Sequence, residues 1–269
     1  MSVSAATRFA VMLGDPVHQA RTPAGFNAWA ARSGRDAVMI GMAVAPDGLA
    51  LTLAALRGWR NCLGAVITYP HKQQAVAALD EAGDEVAVAG ACNVIRRTPD
   101  GLLVGGMTDG AGFVAALRAG GTDPAGADIR LVGAGGAGSA IALALIDAGA
   151  ARLAVHDLDA GRAEALLARL ARARPGAAAM VAEPKGFAPR VVVNATPVGM
   201  NGDARHPWPL DGLAPGCLVA DIVPEPAETP WLAEARRRGH QVQTGPEMVA
   251  AQLPAVIAHL FGPVTEGEA

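Results

Sequence analysis

Three sets of residues have types and spacings that could do chemistry. Gly133, Gly135 and Gly138 form a G-x-G-x-x-G directly after the apolar run Ile129 to Val132, and the Ser139 to Ala148 stretch that follows has helical composition. Such a turn brings backbone N–H groups to a pyrophosphate at a helix N-terminus, so Gly133, Ala134, Gly135, Gly136, Ala137 and Gly138 are candidate dinucleotide ligands. With 33 glycines in 269 residues the spacing alone would arise by chance roughly one time in two, so its place between a strand and a helix carries the reading. Asp157, 24 residues after Gly133, ends the next strand, where a carboxylate can accept hydrogen bonds from an adenosine ribose. Lys72 follows the strand Gly64 to Thr68 and sits at that strand's C-terminal end, the edge at which ligands collect in open α/β sheets. Its other reading is a solvated lysine at a helix start. Asp109 is the sole ionisable residue of the glycine-rich stretch Gly105 to Gly110, and by itself it reads as the N-cap of the helix that follows.

The elements that must position these residues alternate between apolar runs and helical stretches. Phe9 to Leu13 and Val38 to Val44 flank a helical stretch, Thr22 to Ala31, in which Phe26, Trp29 and Ala30 fall on one face and read as core. Asp47 can cap a second helix running to Leu56, and Tyr69 to Lys72 is expected to open another. Asn93 to Arg97 and Leu102 to Gly105 flank the turn Thr98-Pro-Asp-Gly101 and read as a hairpin. Gly105 to Gly110 then reads as a hinge. Strands at Ile129 to Val132, Leu153 to His156, Val191 to Asn194 and Val219 to Val223 alternate with helices at Ala160 to Arg172 and Trp231 to Arg238. Gln241 to Gln243 is a further candidate strand, and Glu247 to Leu260 a last helix kinked near Pro254. This alternation is the signature of an α/β fold with a parallel sheet covered on both faces.

Bulk composition narrows the partners. A net charge of -3 with only 17% charged residues provides no basic field for nucleic acid or an anionic membrane, so a small molecule is expected. No apolar span is long enough for a membrane helix, and the N-terminal stretch MSVSAATRFA lacks a basic region followed by an apolar one, so export is not expected. Cys62, Cys92 and Cys217 are odd in number and widely spaced, which suits free core thiols in a reducing cytoplasm and neither a disulfide nor a metal site.

Taken in order, several blocks resemble the shikimate dehydrogenase family, including its quinate-using members. They are Gly14-Asp-Pro-Val17 with Thr22-Pro23 and Asn27; Thr68-Tyr-Pro-His-Lys72; Gly90-Ala-Cys-Asn93; Thr108-Asp-Gly110; the glycine turn; Asn194-Ala-Thr-Pro-Val-Gly-Met200; Asp221-Ile-Val223 with Glu228-Thr-Pro230; and Gly245 with Met248 and Gln252. The resemblance covers nearly the whole chain. It implies a substrate domain from residues 1–108 completed by the C-terminal helix in 244–269, a Rossmann dinucleotide domain over 109–243, and an active site in the cleft. It pairs Lys72 with Asp109 as a catalytic dyad acting on a ring hydroxyl of a cyclic polyhydroxy carboxylic acid. Thr22, Thr68, Asn93 and Gln252 become substrate ligands by the same carry-over. Asn194, Thr196, Pro197, Val223, Gly245 and Met248 become neighbours of the cofactor. No metal is required, and the protein is expected as a monomer or homodimer.

The chain also departs from the family pattern. Where P-x-x-H-S-x-S-P is usual it has Pro16-Val-His-Gln-Ala-Arg-Thr-Pro23, so Ala20 removes a hydroxyl that would help bind the substrate carboxylate. Arg21 beside it could supply a charged replacement by turning inward. Val66 stands where Asn is usual, Pro224 where Tyr is common, and Gly106-Met107 where Asp-Asn is frequent. Each polar partner lost would cost about 1–3 kcal/mol if a substrate group were left unpaired, which opens the alternatives of a different hydroxy acid or a catalytically silent dinucleotide-binding protein. After the second nucleotide-binding strand the NADP-using relatives carry Asn-Arg-Thr, and here Asp157-Leu158-Asp159 stands instead. Two carboxylates would repel a 2'-phosphate, so NAD is expected over NADP.

Overall fold

The structure, a computed structural model, describes residues 3–18, 20–180 and 186–262; Gln19 lies outside them. The chain gathers into two compact units, Met1–Thr108 with Leu253–Ala269, and Asp109–Gln252.

In the first unit the elements run β1 (Arg8–Gly14), α1 (Thr22–Arg32), β2 (Ala37–Ala43), α2 (Leu49–Gly58), β3 (Cys62–Ile67), β4 (Glu81–Ala82), α3 (Asp84–Ala89), β5 (Val94–Arg97) and β6 (Leu103–Gly106). They form a six-stranded sheet in the order β2-β1-β3-β5-β6-β4. β1 pairs in parallel with both β2 and β3, whereas β5 runs antiparallel to β3 and to β6. β3 is buried at every position, which is why it reads as an unbroken apolar run. Proline in the first turn starts α1, and Phe26 and Ala30 on its inner face are fully buried. Asn27 staples α1 to β2 by donating to the Met39 carbonyl (3.0 Å) and accepting from the Met39 amide (2.7 Å). The core of this unit joins Ala10, Met12, Phe26, Leu63 and Val66 to Val256 and Leu260 from the far end of the chain, with Trp29 packed against it.

Two expectations fail here. Tyr69 to Lys72 forms turns leading to a 3-10 segment, Gln74–Ala78, because the backbone groups of Thr68, Tyr69 and Lys72 bond to Leu13 and Asp15 at the end of β1 and to Cys92 just before β5. Asp47 lies inside a short 3-10 turn, Pro46–Gly48, and α2 begins at Leu49 without a side-chain cap.

The second unit runs α4 (Asp109–Ala119), β7 (Asp128–Val132), α5 (Gly136–Asp147), β8 (Arg152–His156), α6 (Ala160–Ala173), β9 (Ala179–Met180), β10 (Val191–Asn194), β11 (Leu218–Asp221), α7 (Pro230–Arg237) and β12 (Val242–Gln243). Its sheet has the order β12-β11-β10-β7-β8-β9, and every pair is parallel. α7 packs Trp231, Leu232 and Ala235 on Val192 and Val219. The last helix, α8 (Gly245–Phe261), opens on a capping box in which Glu247 accepts from the Thr244 amide (2.7 Å) and hydroxyl (2.9 Å). Pro254 lies inside it. Among the described residues no helix is long and apolar enough to cross a membrane. The three cysteines are free and buried, and burial pushes each thiol up to about 11, so they are inert core groups.

Candidate functional site

In the first unit the candidate residues gather at the C-terminal ends of β1 and β3. The Thr68 amide donates to the Leu13 carbonyl (2.9 Å) and the Asp15 amide to Tyr69 (3.1 Å), so the segment carrying Lys72 is laced to the end of β1. Gly14 permits this approach, since a Cβ there would lie 2.4 Å from the Thr68 methyl. Lys72 itself is half-buried, with its carbonyl taking the Cys92 amide (2.8 Å). Asn93 follows directly. Its carbonyl accepts from Ile67 (2.8 Å), and its side-chain oxygen accepts from the Thr108 amide (2.9 Å) and hydroxyl (3.2 Å). Thr68, Lys72 and Asn93 thus share one edge of the sheet. Thr22, half-buried, starts α1 at the same edge, just after β1. Arg21 precedes it and is exposed. Ala20 and Val66 both pack into the core cluster, and Pro224 is exposed.

In the second unit the glycine turn joins β7 to α5. Gly133 has φ 107°, and a Cβ on it would lie 2.7 Å from the Ala195 carbonyl oxygen. A Cβ on Gly138 would lie 2.0 Å from the Gly133 carbonyl oxygen, so that glycine lets the helix close on the turn. Gly135 differs: nothing lies within 4 Å of a Cβ built there, so its backbone faces open space. Gly136 and Ala137 begin α5. These features fit a pyrophosphate cradled at the helix N-terminus. Asp157 braces the turn, accepting from the Ala134 amide (2.8 Å) and, through its other oxygen, from Asp159 (2.9 Å). Asp159 caps α6 by accepting from Gly161 (3.0 Å) and pairs with Arg162 at 3.6 Å, while Leu158 between the two acids is 97% exposed.

Further along the same edge, the fully buried Asn194 and Asp221 form the centre of a network. Asn194 Nδ2 donates to Asp221 (3.0 Å) and to the Val198 carbonyl (3.0 Å), and Asn194 Oδ1 accepts from the Thr196 amide (3.0 Å) and hydroxyl (2.6 Å). Asp221 also accepts from the Val223 amide (3.0 Å) and the Thr229 hydroxyl (2.8 Å). Burial pushes the Asp221 carboxyl above its ordinary range, against the hydrogen bonds that lower it. Asn194 therefore shapes the 194–200 segment from within, leaving half-buried Thr196 and exposed Pro197 at its surface. Val223 is buried against the start of α8, where a Cβ on Gly245 would lie 2.0 Å from its carbonyl oxygen; Met248 is buried one turn on.

Asp109 begins α4 and is buried. The Gln252 amide donates to its carboxylate at 2.8 Å, and a Cβ on Gly112 would lie 2.6 Å from Gln252 Cβ, so the glycine brings α4 and α8 together there. This pairing spans 143 residues of sequence and is not foreseen from it. Also unforeseen are Ser139, whose buried hydroxyl donates to the Ala134 carbonyl (3.3 Å), and Arg169, which donates to that hydroxyl (3.3 Å). Among the described residues no group of three or more His, Cys, Asp or Glu could hold a metal ion.

Comparison with known proteins covers nearly the whole chain. Residues 12–95 match the model of the shikimate dehydrogenase substrate binding domain. A shikimate dehydrogenase (NADP(+)) of Acidiphilium cryptum strain JF-5 is 40% identical over 97% of this chain and 93% of its own length. Among solved structures, the quinate dehydrogenase of Corynebacterium glutamicum in complex with NAD superposes with a TM-score of 0.82 at 30% identity, covering 96% of this chain and 94% of that one. The ligand-free 5-ketofructose reductase of Gluconobacter sp. strain CHM43 gives a TM-score of 0.84 at 28% identity, covering 97% and 95%.

Proposed function

The chain belongs to the shikimate dehydrogenase family, and from that premise we propose that it moves hydride reversibly between a nicotinamide dinucleotide and a ring hydroxyl of a cyclic polyhydroxy carboxylic acid of the shikimate and quinate class. The first unit acts as the substrate domain and the second as the dinucleotide domain. The observation that carries this reading is the gathering of Thr68, Lys72 and Asn93 at one strand edge, each fixed through its backbone. When bound, the nicotinamide supplies the hydride acceptor at C4. As hydride leaves the carbinol carbon the hydroxyl proton must also leave, and the Lys72 amine takes it, becoming an ammonium that returns it in the reverse direction. Asp109, steadied by the Gln252 amide, tunes and orients Lys72, its negative charge favouring the ammonium that forms. Thr22, Thr68, Asn93 and Gln252 bind the remaining hydroxyls and the carboxylate. A Lys72→Ala variant is expected to lose about 100-fold or more in kcat with dinucleotide affinity retained; normal turnover would remove Lys72 from the mechanism.

The proposed cofactor is NAD in preference to NADP. Asp157 directly after β8 and Asp159 two residues later would repel a 2'-phosphate bound beside them, and the nearby Arg162 pairs with Asp159. The Acidiphilium relative is named for NADP(+), so rates with both dinucleotides at equal concentration are the direct test, and faster turnover with NADP would end this reading.

A second reading keeps the chemistry and changes the substrate. Ala20 and Val66 pack into the core, which leaves fewer polar groups to hold a carboxylate than the family pattern provides. Turnover on shikimate, quinate and a panel of cyclic hydroxy acids separates the readings; tight dinucleotide binding with no turnover would mark a silent protein. The buried free thiols suit a reducing compartment, and we assign the protein to the cytoplasm as a monomer or homodimer.

A further inference from the structure

Lys72 can exchange a proton reproducibly only if its Cα is held still, and the five residues from Tyr69 to Gln73 form turns only. One side chain in that segment is completely buried. His71 is 0% exposed, and its Nε2 lies 2.7 Å from the Val44 carbonyl oxygen in the loop after β2. A carbonyl can only accept, so Nε2 carries the hydrogen and donates. Val44 is itself held, its amide donating to the Gly14 carbonyl at 3.1 Å. The imidazole therefore ties the residue before Lys72 to the ends of β1 and β2, while the Cys92 amide holds the Lys72 carbonyl from the other side (2.8 Å). The remaining ring nitrogen, Nδ1, is buried and has no hydrogen-bond partner among the described residues. An apolar side chain would fill the same space without that cost, so what the imidazole adds is one directional bond to Val44.

We infer that His71 is a positioning residue for Lys72, acting through the Nε2–H bond to the Val44 carbonyl. The inference rests on the proposed role of Lys72. A displacement of about 1 Å at such a base is enough to cost on the order of 100-fold in rate.

The experiment compares three variants of the full chain: His71→Gln, whose amide nitrogen can reach the Val44 carbonyl, His71→Asn, whose shorter amide cannot, and Lys72→Ala. Each is assayed for kcat and KM with shikimate and NAD, by absorbance of the reduced nicotinamide, and for NADH affinity by fluorescence titration. The Asn variant is expected to lose about 10- to 100-fold in kcat with NADH affinity within twofold, and the Gln variant to recover most of that loss. Asn retaining full kcat, Gln falling as far as Asn, or NADH affinity falling in step with kcat would each overturn the inference. Lys72→Ala is the separate check: if it turns over normally, the premise about Lys72 fails regardless of what His71 does. If it is inactive while His71→Asn is normal, only the role of His71 fails. Circular dichroism identifies a misfolded Asn variant, in which case His71→Gln compared with wild type decides: unimpaired kcat supports the inference and a loss above tenfold overturns it.

Discussion

The two sheets end in edges built on opposite plans. At the C-terminal ends of β1 and β3 the backbone is the scaffold: carbonyls and amides of Leu13, Asp15, Thr68, Tyr69, Lys72 and Cys92 bind one another. In the proposed function, side chains such as Lys72 are then the part offered to a ligand. At the corresponding edge of the parallel sheet the roles reverse. Asp157, Asn194 and Asp221 spend their side chains on neighbouring amides, and the offered surface is backbone at Gly135. A side-chain surface can be retuned one residue at a time, as Ala20 and Val66 illustrate. A backbone surface cannot, because each brace supports several amides at once.

That contrast predicts a ranking of effects. The largest belongs to Gly138→Val, which would drive a Cβ to within 2.0 Å of the Gly133 carbonyl oxygen. Opening the turn should cost about 3 kcal/mol, or about 100-fold in NADH affinity by fluorescence titration, and an unchanged affinity would break the backbone side of the comparison. Next comes Gln252→Leu, which removes the amide that steadies Asp109. A hydrogen bond to a charged group contributes about 1.5–3 kcal/mol, so kcat should fall about 10- to 100-fold while NADH affinity holds. An effect confined to NADH affinity would remove the role given to Gln252 in steadying Asp109.

The smallest effect is on stability. Asp221→Asn should lower unfolding free energy by about 1–3 kcal/mol, because an amide cannot accept all three donors now facing the carboxylate. Its pH dependence has a definite sign. Burial raises the native pKa of Asp221 above its unfolded value, so the native state holds the proton more tightly and the residue's contribution falls as pH rises through the raised value. Asparagine has no such decline. The deficit of the variant, followed by urea unfolding, should therefore be larger near pH 4 than near pH 7, and a deficit growing with pH would contradict a desolvated Asp221.

What could be read from the sequence was what depends on neighbours in the chain. The glycine turn, the strand before it and Asp157 lie within one βαβ unit, and all three stand where the spacing placed them. The hairpin of β5 and β6 followed from Thr98-Pro-Asp-Gly101, and Phe26 and Ala30 from helical period. Partnerships between distant residues were not legible. Nothing local to Asp109 points to Gln252, and nothing local to Asn194 points to Asp221, 27 residues on, whose carboxylate accepts from its amide. The turn at Tyr69 to Lys72 was misread as a helix for the same reason: its carbonyls are claimed by Asp15 and Cys92, which composition cannot reveal. β4, at two residues, carries no periodicity to detect.

The core of the first unit, with Val256 and Leu260 beside Ala10 and Phe26, has a consequence for the order of folding. The second unit is one uninterrupted stretch and has all its residues once Gln252 has been synthesised. The first unit, though most of it is made earlier, lacks part of its core until the end of α8 arrives, so its closure carries the larger loop-closing entropy and comes last. In a growing chain the strand edge bearing Lys72 is then completed only after the glycine turn has already had the chance to form.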